Sequence, residues 1–222
     1  MTETFAFELV HRVPVVEKDG ARWMVDTGCP CSYPRLPLKL SSQQFHGIPG
    51  LRVMGLDMLR RYVKIDYASQ TIVTSDEPIA LNGDIVQFRA DFLGRWLVLM
   101  SVGDETREFY VDTGAAYSYV WNLSPQFPYA GNVQDNGFSG RTWSADIRRV
   151  PCSFAGHPFE ILCAKALENQ EQPNGAAVPK EGVIGYEFFA NFTIVVDRLG
   201  GTITFVKTEK DKEKESKRLV KC

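Results

Sequence analysis

The sequence predicts an all-β protein built from two related halves, and three features predict it. The tripeptide Asp-Thr-Gly occurs twice, at Asp26–Gly28 and at Asp112–Gly114, each time directly behind an apolar run. Upstream of each copy lie an apolar stretch, a Gly/Asp turn and a second apolar stretch, which is the pattern of a β-hairpin. Downstream of each copy comes an apolar-apolar-Gly, then a hairpin rich in β-branched residues. At 222 residues and 44% hydrophobic, the chain suits one large or two small domains with a real core.

The first hairpin is predicted from Val13-Pro14-Val15-Val16, the turn Lys18-Asp19-Gly20, and Trp23-Met24-Val25 leading into Asp26. Its counterpart is Trp96–Met100, the turn Gly103-Asp104-Glu105, and Phe109-Tyr110-Val111 leading into Asp112. Each Asp-Thr-Gly is therefore expected at a strand end, on the loop that leaves it. Val53-Met54-Gly55 then answers Val183-Ile184-Gly185. The stretches after them, Leu56–Arg61 and Tyr186–Phe192, are the only helical candidates, and each is long enough for a turn or two. Tyr62–Ser75 and Phe192–Phe205 read as hairpins in which an Asp (Asp66, Asp197) opens the turn and Thr-Ile follows at the same distance. Turn chemistry at Asn82-Gly83-Asp84 places the boundary between a first half, residues 1–83, and a second, residues 84–206. Residues 207–222 are Lys/Glu-rich, carry a net charge of +3 and read as a solvated tail.

Composition removes several function classes. A net charge of −2 supplies no polycation for nucleic acid. No apolar run reaches the ~18 residues of a membrane span, and the N-terminus lacks the order of a signal peptide. Five cysteines without a framework pattern fit a reducing compartment, so a cytoplasmic protein is expected. Cys29-Pro30-Cys31 could be a metal or redox pair. However, no Cys/His pair stands at zinc spacing among His11, His46 and His157, so small polar filler is the favoured reading and neither metal nor cofactor is expected. Cys152 and Cys163 bracket a turn and are expected to be reduced core residues.

The doubled Asp-Thr-Gly, each with its own later apolar-apolar-Gly, resembles the retropepsin-like and pepsin-like aspartic proteases. Val111–Ala115 looks retroviral, Val183–Phe205 is similar to the closing segment of a pepsin lobe, and the resemblance covers about residues 10–206. It implies a bilobal acid-protease-like closed barrel of two pseudo-symmetric lobes, with Asp26 and Asp112 facing each other across a two-fold axis. Two close carboxylates cannot both ionise cheaply, so they share a proton and supply a base and an acid together. The resemblance gives Thr27 and Thr113 a hydrogen-bonded lock across the axis. It has Gly28 and Gly114 allow a sharp turn and free N–H groups, and it packs Gly55 and Gly185 behind the loops. The chain departs from the pattern in length: 73 positions separate Asp112 from Gly185, but only 29 separate Asp26 from Gly55. A trimmed first lobe leaves no room for a flap, which is expected instead from Asn132–Ile147, overhanging both aspartates. Phe138 and Trp143 would line the substrate cleft there or pack under the hairpin.

The expected function is a monomeric aspartic endopeptidase acting on an extended peptide or protein substrate, with no nucleic-acid or membrane partner. One alternative is a catalytically weak or inactive peptide-binding module on the same fold. Another is an enzyme whose second lobes pair between chains.

Overall fold

The structure is a computed structural model that describes residues 1–33, 50–136, 142–165 and 182–208. Among these residues the chain is all-β, with seventeen strands, one short α-helix and one 3-10 turn. No helix among them is long and apolar enough to cross a membrane.

The first strands form an antiparallel run that delivers Asp26. Strands β1 (Thr2–Val10) and β2 (Val13–Lys18) are joined by His11-Arg12, with φ of 48° and 73°. Asp19-Gly20 joins β2 to β3 (Ala21–Val25), with φ of 52° and 69°. Both are two-residue turns with two left-handed residues, the type whose twist matches that of paired strands. β4 (Arg52–Met54) lies parallel to β3, with Trp23 opposite Arg52 and Val25 opposite Met54. A 3-10 turn (Leu56–Met58) then leads into β5 (Tyr62–Asp66) and β6 (Thr71–Ser75). Strand β1 pairs through Thr2–Ala6 with β6 and through Phe7–Val10 with β2, which ties the two hairpins together.

The later strands close a barrel. After β7 (Asp84–Gln87) and β8 (Arg89–Ala90) come β9 (Trp96–Val102) and β10 (Glu105–Val111), which delivers Asp112. They are followed by β11 (Ser118–Val120), β12 (Tyr129–Asn136), β13 (Thr142–Phe154), β14 (His157–Lys165) and β15 (Gly182–Ile184). The order β13-β14-β11-β15-β10-β9 closes on itself because β9 also pairs with β13, giving a six-stranded barrel without free edges. Among the described residues β1–β4 form an open sheet by contrast. Helix α1 (Tyr186–Asn191) follows β15 and leads into β16 (Phe192–Asp197) and β17 (Thr202–Lys207).

One continuous sheet joins the two parts of the chain, in the order β1-β6-β5-β16-β17-β7. At its centre β5 and β16 pair antiparallel, with Val63 opposite Val196 and Ile65 opposite Ile194, all four fully buried. Alternation along β5 and β17 buries every second side chain, whereas β16, apolar but for Thr193 up to Val196, is buried on both faces. Phe154, Phe188, Phe192 and Phe205 meet beside it with ring centroids 4.7–5.6 Å apart, mostly edge to face.

The strands depart from the sequence reading at both ends of the chain. Lys207, expected in the tail, is the last residue of β17 because it pairs with Phe192, and the Thr208 N–H donates to the Asn191 carbonyl. The remaining tail residues, 209–222, lie outside the described residues. Strand β1 was not anticipated, because one strand serving two partners carries no single clean alternation. Cys152 and Cys163 are buried and unbonded, as expected of core cysteines. Cys152 stands opposite Phe159 and Cys163 opposite Arg148, so they are not cross-strand neighbours.

The β5–β16 pairing makes the two parts a single cooperative unit. Ile194→Ala should cost about 2–5 kcal/mol through the buried volume it removes, with one unfolding transition retained in denaturant. Two separated transitions would show that the halves unfold independently.

Candidate active site

Each Asp-Thr-Gly is placed by the same local construction. The Asp26 N–H donates to the Met54 carbonyl (3.0 Å) and the Asp112 N–H to the Ile184 carbonyl (2.9 Å), continuing the parallel pairs β3–β4 and β10–β15 into the loops. The Cys29 N–H then returns to the Asp26 carbonyl and the Ala115 N–H to that of Asp112. Leu56 and Tyr186 donate back to the Cys29 and Ala115 carbonyls, pinning each loop to the segment after its Gly.

Gly55 and Gly185 sit where the sequence reading put them, and the reason is space. A Cβ on Gly55 would lie 2.7 Å from the Cys29 carbonyl oxygen, and one on Gly185 only 2.2 Å from that of Ala115. Two residues missed by the sequence reading complete the arrangement. Gly55 N–H donates to Ser32 Oγ (2.8 Å) and Gly185 N–H to Ser118 Oγ (3.1 Å). Ser32 and Ser118 each stand six residues after their aspartate, a signal that a longer overlay of the two copies would have revealed.

The threonines lock the loops together. Thr27 Oγ1 donates to the Val111 carbonyl (3.0 Å) and accepts from the Thr113 N–H (3.0 Å). Thr113 Oγ1 donates to the Val25 carbonyl (2.6 Å) and accepts from the Thr27 N–H (3.1 Å). Both side chains are fully buried, so these four bonds have no competing water.

That lock brings the aspartates together. Gly28 and Gly114 both have ordinary negative φ, so a sharp turn is not why they are glycine, contrary to the expectation from the sequence. Each is glycine because the other loop's carboxyl lies against it: a Cβ on Gly28 would be 2.3 Å from Asp112 Oδ2, and one on Gly114 2.6 Å from Asp26 Cγ. Their N–H groups do serve the site, since Gly28 (3.1 Å) and Gly114 (2.7 Å) both donate to Asp112 Oδ1.

The two carboxyls are not equivalent. Burial, then the negative charge of Asp112 and a hydrogen bond to it, hold Asp26 well above the usual carboxylate range. Burial also raises Asp112, but the hydrogen bond from Asp26 and the Gly114 and Gly28 N–H groups oppose that rise. Asp26 is only 4% exposed and its Oδ1 meets no protein donor, so ionising it leaves a buried carboxylate oxygen unpaired, and the Gly28 and Cys29 N–H groups that favour its charge offset this only in part. The larger rise at Asp26 favours the shared proton there, with Asp112 as the member that more readily carries the charge. Behind Asp112, the Arg95 guanidinium favours its charge while bonding to Asp91 and Tyr110. Tyr67, also missed from the sequence, is buried nearby, and burial with the Asp112 charge pushes its phenol well above the ordinary value.

The expected hairpin exists: β12 and β13 pair from Tyr129 opposite Arg148 to Asn136 opposite Thr142. Phe138 and the rest of the tip, residues 137–141, lie outside the described residues, as does the Trp143 side chain, so the expected overhang and the cleft-lining role fall there too. A surface concavity of about 640 Å³ over β1–β3, lined by Phe5, Phe7, Val15 and Arg22 among others, contains neither aspartate. Among the described residues no three His, Cys, Asp or Glu side chains converge as metal ligands would. In comparisons with known proteins, no family model matches the chain and no curated protein matches it closely enough to show a relationship.

A raised pKa in the folded state makes a testable demand. The stability Asp26 contributes is fully present below the unfolded value of about 3.9 and is lost as pH rises through its raised folded pKa. Asp26→Asn keeps a hydrogen-bond donor toward Asp112 and cannot ionise. The melting temperature of the variant relative to wild type should rise as pH is increased from about 4, and a gap that stays constant or shrinks would contradict the assignment.

Proposed function

We propose that the chain is an aspartic endopeptidase that hydrolyses a peptide bond with a water held between Asp26 and Asp112. The observation that carries the reading is the reciprocal threonine lock, with a hydrogen-bonded, unequally charged aspartate pair against two glycines. Supporting it are the matching constructions around Asp26 and Asp112, which fit the two lobes, residues 1–83 and 84–206, of a retropepsin-like or pepsin-like protein. The sheet that joins β5 to β16 fits a single-chain, monomeric enzyme, and the unbonded cysteines fit a cytoplasmic one.

Ionised Asp112 takes a proton from the water as its oxygen attacks the scissile carbonyl carbon. Asp26 gives its proton to the carbonyl oxygen, so a neutral gem-diol forms and the pair has exchanged roles. Collapse breaks the C–N bond, the leaving amine takes the proton from Asp112, and Asp26 recovers one from a diol hydroxyl. The residues require no metal for this sequence. Substrate would bind extended, as an added strand beside the site, with the β12–β13 hairpin as its cover.

A mixed peptide library at mildly acid pH tests the reading, with wild type, Asp26→Asn and Asp112→Asn compared. Wild type should cleave, and each variant should lose at least about 1,000-fold in kcat, because the pair acts as one unit, while keeping its fold. Near-wild-type turnover in either variant would refute the mechanism. The short Asp26–Gly55 interval favours a second reading, a peptide-binding module, and peptide bound by wild type without cleavage would select it.

A further inference from the structure

Arg12 sits at the tip of the β1–β2 turn and reaches across to the second Asp-Thr-Gly loop. Its Nη1 donates to the Ala116 carbonyl (3.3 Å) and pairs with Glu187 Oε1 (2.8 Å) at the start of α1. Its guanidinium lies over the rings of Tyr117 (4.8 Å) and Tyr186 (4.5 Å). Glu187 is 6% exposed, so a buried carboxylate meets a partly exposed guanidinium that lies against two aromatic rings. The neighbouring backbone is the backbone that sets Asp112: Ala115 donates to the Asp112 carbonyl and accepts from Tyr186, and Gly114 donates to the carboxylate.

The first half also receives a cation from the opposite half: Arg198, on the β16–β17 turn, donates to the Leu59 and Arg60 carbonyls and is influenced by the charge of Asp57. Asp57 stands where Glu187 does when the two copies are overlaid, and it accepts from Ser32 of its own loop (2.5 Å). Arg12 thus acts on the second loop itself, through the Ala116 carbonyl, whereas the Arg198 contacts fall on the segment that follows the first loop.

We propose that Arg12 is a positioning residue for Asp112, fixing the Ala115–Tyr117 backbone so that the Gly114 N–H and the Asp112 carboxylate face Asp26. It touches neither aspartate and acts through the Ala116 carbonyl, Glu187 and the two tyrosines. Its effect on turnover rests on the proposed peptidase reading; its effect on the loop does not.

The test compares wild type, Arg12→Met, Arg12→Lys and Glu187→Gln by amide hydrogen exchange and by peptide turnover. Met keeps the apolar stem between the tyrosines but removes the charge; Lys restores a charge without the planar fork. In Arg12→Met the Gly114 and Ala115 amides should exchange roughly tenfold faster, with β5 and β16 unchanged, as expected of a local loosening. Turnover should lose roughly 10- to 100-fold in kcat at similar KM, the signature of a misplaced catalytic group, and Arg12→Lys should recover part of both. A lower melting temperature with unchanged loop exchange and unchanged kcat would overturn the proposal, leaving Arg12 as simple packing. If wild type cleaves no peptide, the peptidase reading fails, and loop exchange alone decides Arg12: faster exchange supports it, unchanged exchange refutes it. If Arg12→Met does not fold, Glu187→Gln replaces it, with faster Gly114 and Ala115 exchange supporting the strut and wild-type exchange refuting it.

Discussion

Everything at the centre of this molecule depends on two threonine hydroxyls that each donate across to the opposite strand end and accept from the opposite loop's N–H. Strand ends normally leave backbone groups that water satisfies. Here two strand ends satisfy one another, so neither loop can settle alone. Once they are locked, each glycine meets the other loop's aspartate at a distance that would exclude any side chain. The proximity of the carboxyls is therefore imposed by backbone and threonine geometry, against the electrostatic preference of two acids to separate.

The lock is close to symmetric, but its surroundings are not. Two backbone N–H groups act on each carboxyl, but Asp112 also has the field of Arg95, while Asp26 is deeper and has an oxygen without a donor. Burial raises both, and it is the deeper Asp26, with the Asp112 charge beside it, that is raised further. The scaffolds differ in the same sense: the second aspartate hangs from a closed six-stranded barrel, the first from an open sheet among the described residues. The central sheet through β5 and β16 holds the two constructions in one rigid frame.

Much of this was legible in the sequence because the decisive signals are local. Asp-Thr-Gly, the apolar runs behind it and the Asp-to-Thr-Ile hairpins each lie within about a dozen residues, and overlaying the two copies raises each weak motif to a strong one. The glycine positions were found for mixed reasons: Gly55 and Gly185 for crowding, Gly28 and Gly114 for a turn that their φ values do not need. What was missed is mostly long-range. Arg12 and Glu187 meet across most of the chain, and no period or spacing announces an ion pair of that separation. Tyr67 reads as one more strand-end aromatic until folding buries its hydroxyl. Ser32 and Ser118 are the exception, since their shared offset from each aspartate was visible all along.

The central claim is that Asp26 and Asp112 titrate as one coupled unit with the proton on Asp26. Carboxyl carbon NMR of aspartate-labelled protein across the pH range, with single substitutions for assignment, measures this directly. The account predicts that Asp26 titrates well above the ordinary aspartate value of about 3.9, and that Asp112→Asn moves it downward by removing the neighbouring charge. An Asp26 that titrates near the ordinary value, and does so with or without Asp112, would contradict it.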